Sequence, residues 1–337
     1  MENILNAFVL LANFIIIPGA AYGSQLALGA LGVTLIYAIL RFSNFAHGET
    51  MAFGTMVTIL FTWWLQGLGV SLGPLPTALL ALPLGIAVTI GLILICDRWV
   101  YRYHRGQRAK PVIFLIASLG LMFIYNGLVR IIIGPGEQRF EDGQRFIITV
   151  REFREWSGLT EGLMLRSSQA LTIVVTLIAV AALFWFLERT RTGKSMRAYS
   201  DNEDLALLSG IKPERVVLIA WVLAATLATL AGVLYGLDKG FSPINYFHLL
   251  LPIFAAAIVG GLGSPLGAVA GGFIVAFSEV LLTYAYRRFL SYLLPEPWMP
   301  EGLVQFLSTN YKFAISFVIL VLVLLIRPTG IFRGKTI

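Results

Sequence analysis

Long apolar runs, each close to the roughly 20 residues a helix needs to cross a hydrocarbon core, constrain this chain more than any other feature. They fall near 20–40, 50–66, 76–97, 111–133, 169–187, 216–236 and 311–326, with a shorter first segment at 4–17. A further apolar region, 249–286, is interrupted by Gly260-Gly261-Leu262-Gly263-Ser264-Pro265-Leu266-Gly267 and reads as two helices or half-helices meeting at a break. Inside lipid the backbone must satisfy its own polar groups, so runs of this kind are helical. The expected fold is all-α, a polytopic membrane protein with roughly eight to ten transmembrane or re-entrant helices. It reads as one transmembrane domain over 1–337.

Composition agrees with that reading. Of the 337 residues, 58% are hydrophobic and 13% charged, and the mean hydropathy is +0.82, far from a soluble domain. The start Met1-Glu2-Asn3 has no basic segment, and no A-x-A-like site precedes the next span, so the first apolar segment is expected to be retained. The net charge of +7 and pI near 9.6 come from basic residues in short loops beside apolar runs, where they set topology rather than bind nucleic acid. The single cysteine, Cys96, excludes an intramolecular disulfide and any cysteine metal cluster. His47, His104 and His248 are too widely spaced for a local metal motif. No catalytic constellation and no cofactor motif stands out, which argues against an enzyme.

Lys and Arg in the loops orient the chain. Residues 98–110 carry Arg98, Arg102, Arg105, Arg108 and Lys110 without an acid, and 188–215 carry Arg189, Arg191, Lys194, Arg197, Lys212 and Arg215. Both segments are expected in the cytoplasm. The 134–168 segment mixes five Arg with six acids, contains Trp156, and reads as an ordered external loop. The chain then returns outside at 287–310 and ends inside with Arg327, Arg333 and Lys335.

Within 188–215, Ser200 to Ile211 carries the marks of a short helix outside the bilayer. Asp201 reads as the N-cap with Asp204 at N3, Glu203 adds to an acidic first turn, Leu205 and Leu208 share a face, and Gly210 sits at C′. So short a helix is not stable alone in water, which points to docking on a partner. Just before it, Thr192-Gly193-Lys194-Ser195 ends like a Walker A loop, but Glu188 stands where the pattern needs glycine and a membrane span precedes it. Nucleotide binding by this chain is therefore rejected.

Three other places carry polarity or breaks within apolar surroundings. Arg41-Phe42-Ser43-Asn44-Phe45-Ala46-His47-Gly48-Glu49 is either a break lining a substrate route or dimer seam, or a plain cytoplasmic turn in which Asn44 caps and Glu49 favours the next helix. Gly263, Gly267 and Gly271 recur every four residues, as in close helix packing; the break at Gly263 and Ser264 equally fits an interrupted helix facing a cavity. Glu279 is an acid inside a span, either a site or a paired or interfacial residue.

Leu28-Gly29-Ala30-Leu31-Gly32, the Arg41 to Glu49 segment, the Gly193 to Ile211 loop, Ala255 to Gly272 and Arg327-Pro328-Thr329-Gly330-Ile331-Phe332 occur in that order. Together they resemble the permease subunits of bacterial high-affinity branched-chain amino acid ABC transporters, and the resemblance covers nearly the whole chain. Asn-Phe-Ala-His-Gly-Glu is its most specific part. Urea and short-chain amide permeases belong to the same wider family. The resemblance implies an inner-membrane importer with two cytoplasmic ATPase subunits, a homologous second permease and a periplasmic substrate-binding protein. It also implies that the loop between Arg197 and Arg215 contacts the ATPase, which makes Asp201, Glu203, Asp204, Leu205, Leu208 and Gly210 the coupling residues; the polar breaks in the apolar runs give Asn44, His47, Glu49, Gly263 and Ser264 as the substrate-path residues. The rival from another class is an ATP-independent secondary transporter or channel, for which His47, Glu49 and Glu279 are the candidate ion-coupling groups.

Overall fold

A computed structural model describes residues 2–140, 145–295, 298, 300 and 302–332. Arg333 and Lys335, counted above as inner charges, and Glu141 and Asp142 of the long loop lie outside the described residues. The described chain is helical almost throughout: α1 Glu2–Leu40, α2 His47–Gly67, α3 Ala78–Gly106, α4 Pro111–Ile133, α5 Val150–Ser157, α6 Ser167–Arg189, α7 Arg191–Asp201, α8 Glu203–Leu208, α9 Pro213–Lys239, α10 Pro243–Gly260, α11 Pro265–Thr283 and α12 Lys312–Ile326. Seven of these helices are long and apolar enough to cross a membrane. The more polar α2 and the shorter α12 bring the total within the eight to ten expected.

Proline opens α4, α9, α10 and α11 at the first turn, where its missing N–H costs nothing, and glycines at positive φ follow α4 and α9. The faces turned away from the protein stay apolar, as in Ile116, Phe123 and Ile131 of α4 or Val318, Leu325 and Ile326 of α12. Lipid solvates such faces as well as a core does.

The segment 4–17 is not separate from 20–40. A π-turn at Ala12–Ile16 carries the helix on, giving one element of 39 residues, because the wider turn absorbs the hydrogen bond that Pro18 cannot donate. At 1.5 Å per residue α1 is about 58 Å long, well beyond a hydrocarbon core of about 30 Å, so its first turns tilt or project. Asn6 and Asn13 tie them down, their Oδ1 atoms accepting from the Glu161 and Met164 N–H groups at 3.0 and 3.2 Å.

The lower half of α1, residues 21–39, is buried on every side, with α9, α10, α11, α6 and α7 around it. A helix apolar all round belongs in such a position. α10 and α11 form an antiparallel hairpin whose backbones touch. A Cβ on Gly271 would lie 2.0 Å from the Ala256 carbonyl oxygen, and one on Gly260 2.0 Å from that of Gly267. The small-residue stripe is therefore Gly260, Gly267 and Gly271. Gly263 sits in the turn at φ +86° with open space beside it.

Two ends can be told apart by their hydrogen bonds. At one, the Arg41 guanidinium donates to Ser200 O at 2.5 Å, Arg102 pairs with Glu214, and the Ile331 and Phe332 N–H groups reach Val259 O and Gly260 O. The basic 98–110 and 188–215 segments lie here, largely helical. At the opposite end Gln138 pairs with Phe241, and Glu161 holds Arg288 and Tyr292. There the described part of the 134–168 segment places Phe146–Ile148 antiparallel to Leu165–Arg166, and α5 opens on a capping box between Thr149 and Glu152.

The α10–α11 contact sets a test. Gly271→Ala is expected to cost about 1–3 kcal/mol through overpacking, read as a lowered melting temperature in detergent. Gly127→Ala, with nothing within 4 Å of the new methyl, leaves the melting temperature unchanged.

Candidate functional site

The Arg41–Glu49 segment is not an exposed turn. Arg41 ends α1 in the left-handed region at φ 56°, its N–H on Tyr37 O, and the chain then climbs back into the helices. Phe42 stacks on Phe114 at a ring distance of 5.3 Å and meets Tyr101 tilted at 5.4 Å, and Tyr101 stacks on Trp221. The Phe45 N–H donates to Ser118 Oγ at 3.1 Å. Ser118 lies seven residues into α4, about 10 Å along the helix. His47 then rests on α1 at Gly32, where a Cβ would be 2.5 Å from its Cε1. α2 thus starts inside the bundle, fully surrounded.

Asn44 serves this turn rather than the cap position. Its Oδ1 accepts from the Ala46 N–H at 3.2 Å and from the Tyr101 hydroxyl at 3.4 Å, while Ala46 is the N-cap and offers no side chain. His47 and Glu49 are each 1% exposed. Glu49 Oε1 accepts from Asn126 Nδ2 at 2.9 Å, and its Oε2 has no hydrogen-bond partner among the described residues. As an acid in the first turn of α2, Glu49 faces the positive end of the helix dipole. A helix start of this kind inside a membrane protein presents oriented N–H groups where polar cargo can be met.

At the basic end, α8 differs from its expected capping in one detail. Its N-cap is Asn202, whose Oδ1 accepts from the Leu205 N–H at 3.0 Å; Asp201 is the last residue of α7, and Asp204 is at N2. The reason is the extended backbone of Asn202, φ −151°, which ends α7 and begins α8 at once. Gly210 does occupy C′ at φ +80°, with its N–H on Leu207 O and that of Ile211 on Ala206 O, a Schellman closure. Glu203 is held by the Tyr199 hydroxyl at 2.6 Å. Ala206 is buried, whereas Leu205 is 61% and Leu208 85% exposed, with Leu207 beside them.

Gly263 and Ser264 join this end rather than the start of α2. Ser264 caps α11, its Oγ accepting from the Gly267 N–H at 3.2 Å. Gly263 shares a cavity of about 180 Å³ with Ser200 and Asp201 of α7 and Ala38 and Ile39 of α1. The sequence-expected site residues therefore fall into two groups: Asn44, His47 and Glu49 within the bundle, and the α8 residues with Gly263 and Ser264 at its basic end. Gly193 of the Walker-like stretch has a packing role, since a Cβ there would lie 2.2 Å from Phe186 O where α7 folds back on α6.

Sequence reasoning passed over Asn126 and Ser118, polar residues inside the 111–133 run whose isolation in lipid was the available signal. It also passed over Lys312. Of the two readings open for Glu279 the structure gives the paired one. Glu279, fully buried, accepts a very short hydrogen bond from Ser316 and lies 3.4 Å from Lys312 Nζ, which itself sits 3.7 Å above the Tyr22 ring. This cluster joins α11, α12 and α1.

Residues 15–324 match the family model described as the permease component of branched-chain amino acid transport systems. The chain belongs to that permease family. The permease is 31% identical over 323 residues to the high-affinity branched-chain amino acid transport system permease protein LivH of Escherichia coli K12, covering 93% of this chain and 92% of that one. It is 28% identical over 317 residues to BraD of Pseudomonas aeruginosa, with 94% of each chain covered. A probable LivH of Methanocaldococcus jannaschii is 29% identical over 329 residues, 95% and 93% covered. The permease is accordingly a multi-pass membrane protein.

Removing one member of a buried ion pair strands the other, at a cost of about 3–5 kcal/mol. Lys312→Leu is therefore expected to lower the melting temperature of the permease more than the double change Glu279→Leu with Lys312→Leu. Equal losses in a detergent melt would show that the pair is not coupled.

Proposed function

We propose that this permease forms half of the membrane pathway of an ABC importer, driven by ATPase subunits on separate chains. The observation that carries this reading is α8: a fully capped helix of six residues that displays Leu205 and Leu208 to solvent at the basic end. A soluble helix that short, held rigid at both termini with its apolar side outward, is built to be gripped. The basic segments favour the cytoplasm for this end, where ATPases reside, and leave the 134–168 segment outside.

A route from that surface to the interior is supported by the bonds around it. α8 continues α7 through Asn202, the Ser200 carbonyl accepts from Arg41, and Arg41 begins the segment that leads to His47 and Glu49. A push on α8 therefore loads the inner start of α2. Alternating access would follow from such a shift of a packed element between two arrangements. On this reading the partners are two ATPases, a homologous second permease, forming a heterodimer with this chain, and an external binding protein. LivH and BraD are named for branched-chain amino acids, and an apolar amino acid is the substrate class we assign. The pathway offers few fixed charges, so selectivity rests mainly on the binding protein.

Leu208→Asp and Gly210→Pro are expected to lower ATP-driven uptake at least tenfold while insertion and basal ATP hydrolysis persist. The assay is leucine, isoleucine or valine uptake into proteoliposomes holding the permeases and ATPases, with the binding protein supplied. Normal uptake in both variants would remove α8 from the mechanism. Uptake driven by an ion gradient without ATPase would sink the ABC reading, and urea uptake in place of amino acids would change the substrate.

A further inference from the structure

The basic residues of the 98–110 and 188–215 segments need only be numerous to orient the chain, yet several of them converge on one cavity. It has a volume of about 610 Å³ and lies between the last turns of α3 and the first turn of α9. Part of its charge is spent internally. Arg105 forks onto Asp97 at 2.5 and 2.9 Å, and Arg102 meets Glu214 at 2.7 Å. Trp221 Nε1 donates to Asp97 Oδ1 at 2.7 Å as well, so this carboxylate is fully engaged.

Arg98, Lys212 and Arg215 line the same cavity and form no ion pair among the described residues. Lys212 is the N-cap of α9 and places no side-chain acceptor on its first N–H groups, so the positive end of that helix adds to the field. The floor is apolar, made of Leu94, Leu218 and Ile219, and Leu218 is 47% exposed on a helix long and apolar enough to cross a membrane. On the same stretch of α3, next in sequence to Arg98 and Arg102, Trp99 and Tyr103 are 76% and 61% exposed. Exposed aromatics of this kind mark headgroup depth.

We propose that this cavity is a binding site for an anionic phospholipid. Its phosphate sits among Arg98, Lys212 and Arg215, and its acyl chains run over Leu94, Leu218 and Ile219 into the bilayer. An acidic protein segment would match the charge, but it would leave the apolar floor and the lipid-level aromatics without a role. Basic pockets between helices at the membrane surface hold acidic headgroups in this way. The bound lipid would brace the start of α9 against the end of α3.

The test uses the purified full-length permease in detergent, supplied in turn with phosphatidylglycerol, phosphatidylcholine and inorganic phosphate, with retained lipid counted by native mass spectrometry. Phosphatidylglycerol is expected to be retained over phosphatidylcholine, and inorganic phosphate not to displace it. Changing Arg98, Lys212 and Arg215 to Gln lowers retention about fivefold per charge removed. All three side chains are exposed, and Arg98→Gln alone reads a fivefold loss in case the triple variant does not fold. Equal retention of the two lipids, or unchanged retention in Arg98→Gln and the triple variant, overturns the proposal. Displacement by inorganic phosphate reassigns the cavity to the free ion. Loss of co-purifying ATPase with phosphatidylglycerol retention intact reassigns it to a protein contact.

Discussion

A backbone that leaves its helix in apolar surroundings must have its N–H and C=O groups met by protein, and much of this permease is arranged around two helix ends that are met in this way. The first is the climb from Arg41 to His47. The amides of Arg41, Phe45, Ala46 and His47 are met by Tyr37 O, Ser118 Oγ, Asn44 Oδ1 and Asn44 O, which steadies the start of α2. The second is the end of α10, whose last carbonyls accept from Ile331 and Phe332.

Close backbone contact is the companion condition. With lipid on the outside, burial of apolar surface does not drive helices together, and packing has to do so. Gly260, Gly267 and Gly271 bring α10 and α11 into carbonyl contact, and Gly32 makes room for His47 against α1. Polar side chains then supply specificity between helices that are otherwise interchangeable greasy rods: Asn126 to Glu49, Lys312 to Glu279, Arg41 to Ser200.

How much of this is legible in the chain follows from what kind of information each feature needs. Span positions, the α10–α11 hairpin and the short capped helix depend on local pattern, and they stand close to where hydropathy, glycine and capping residues put them. The N-cap moved by one residue because Asn202 competes with Asp201 for the same break, a choice that the extended backbone of Asn202 decides. The π-turn joining 4–17 to 20–40 is invisible to hydropathy. The depth of the Arg41–Glu49 segment was not legible either, since it depends on Ser118, Tyr101 and Gly32 from three other helices. Lys312 as the partner of Glu279 is a long-range fact of the same sort.

The bonds from Ile331 and Phe332 to Val259 and Gly260 bear on the order in which the permease is made. Those carbonyls belong to a hairpin that has already been synthesised and inserted while the residues that complete it are still unmade. Until α12 has crossed and the segment after it folds back, the last carbonyls of α10 lack these two N–H partners. The locking of the α10–α11 pair thus follows the crossing of α12, and quality control at the membrane has a natural checkpoint in whether that clasp has closed.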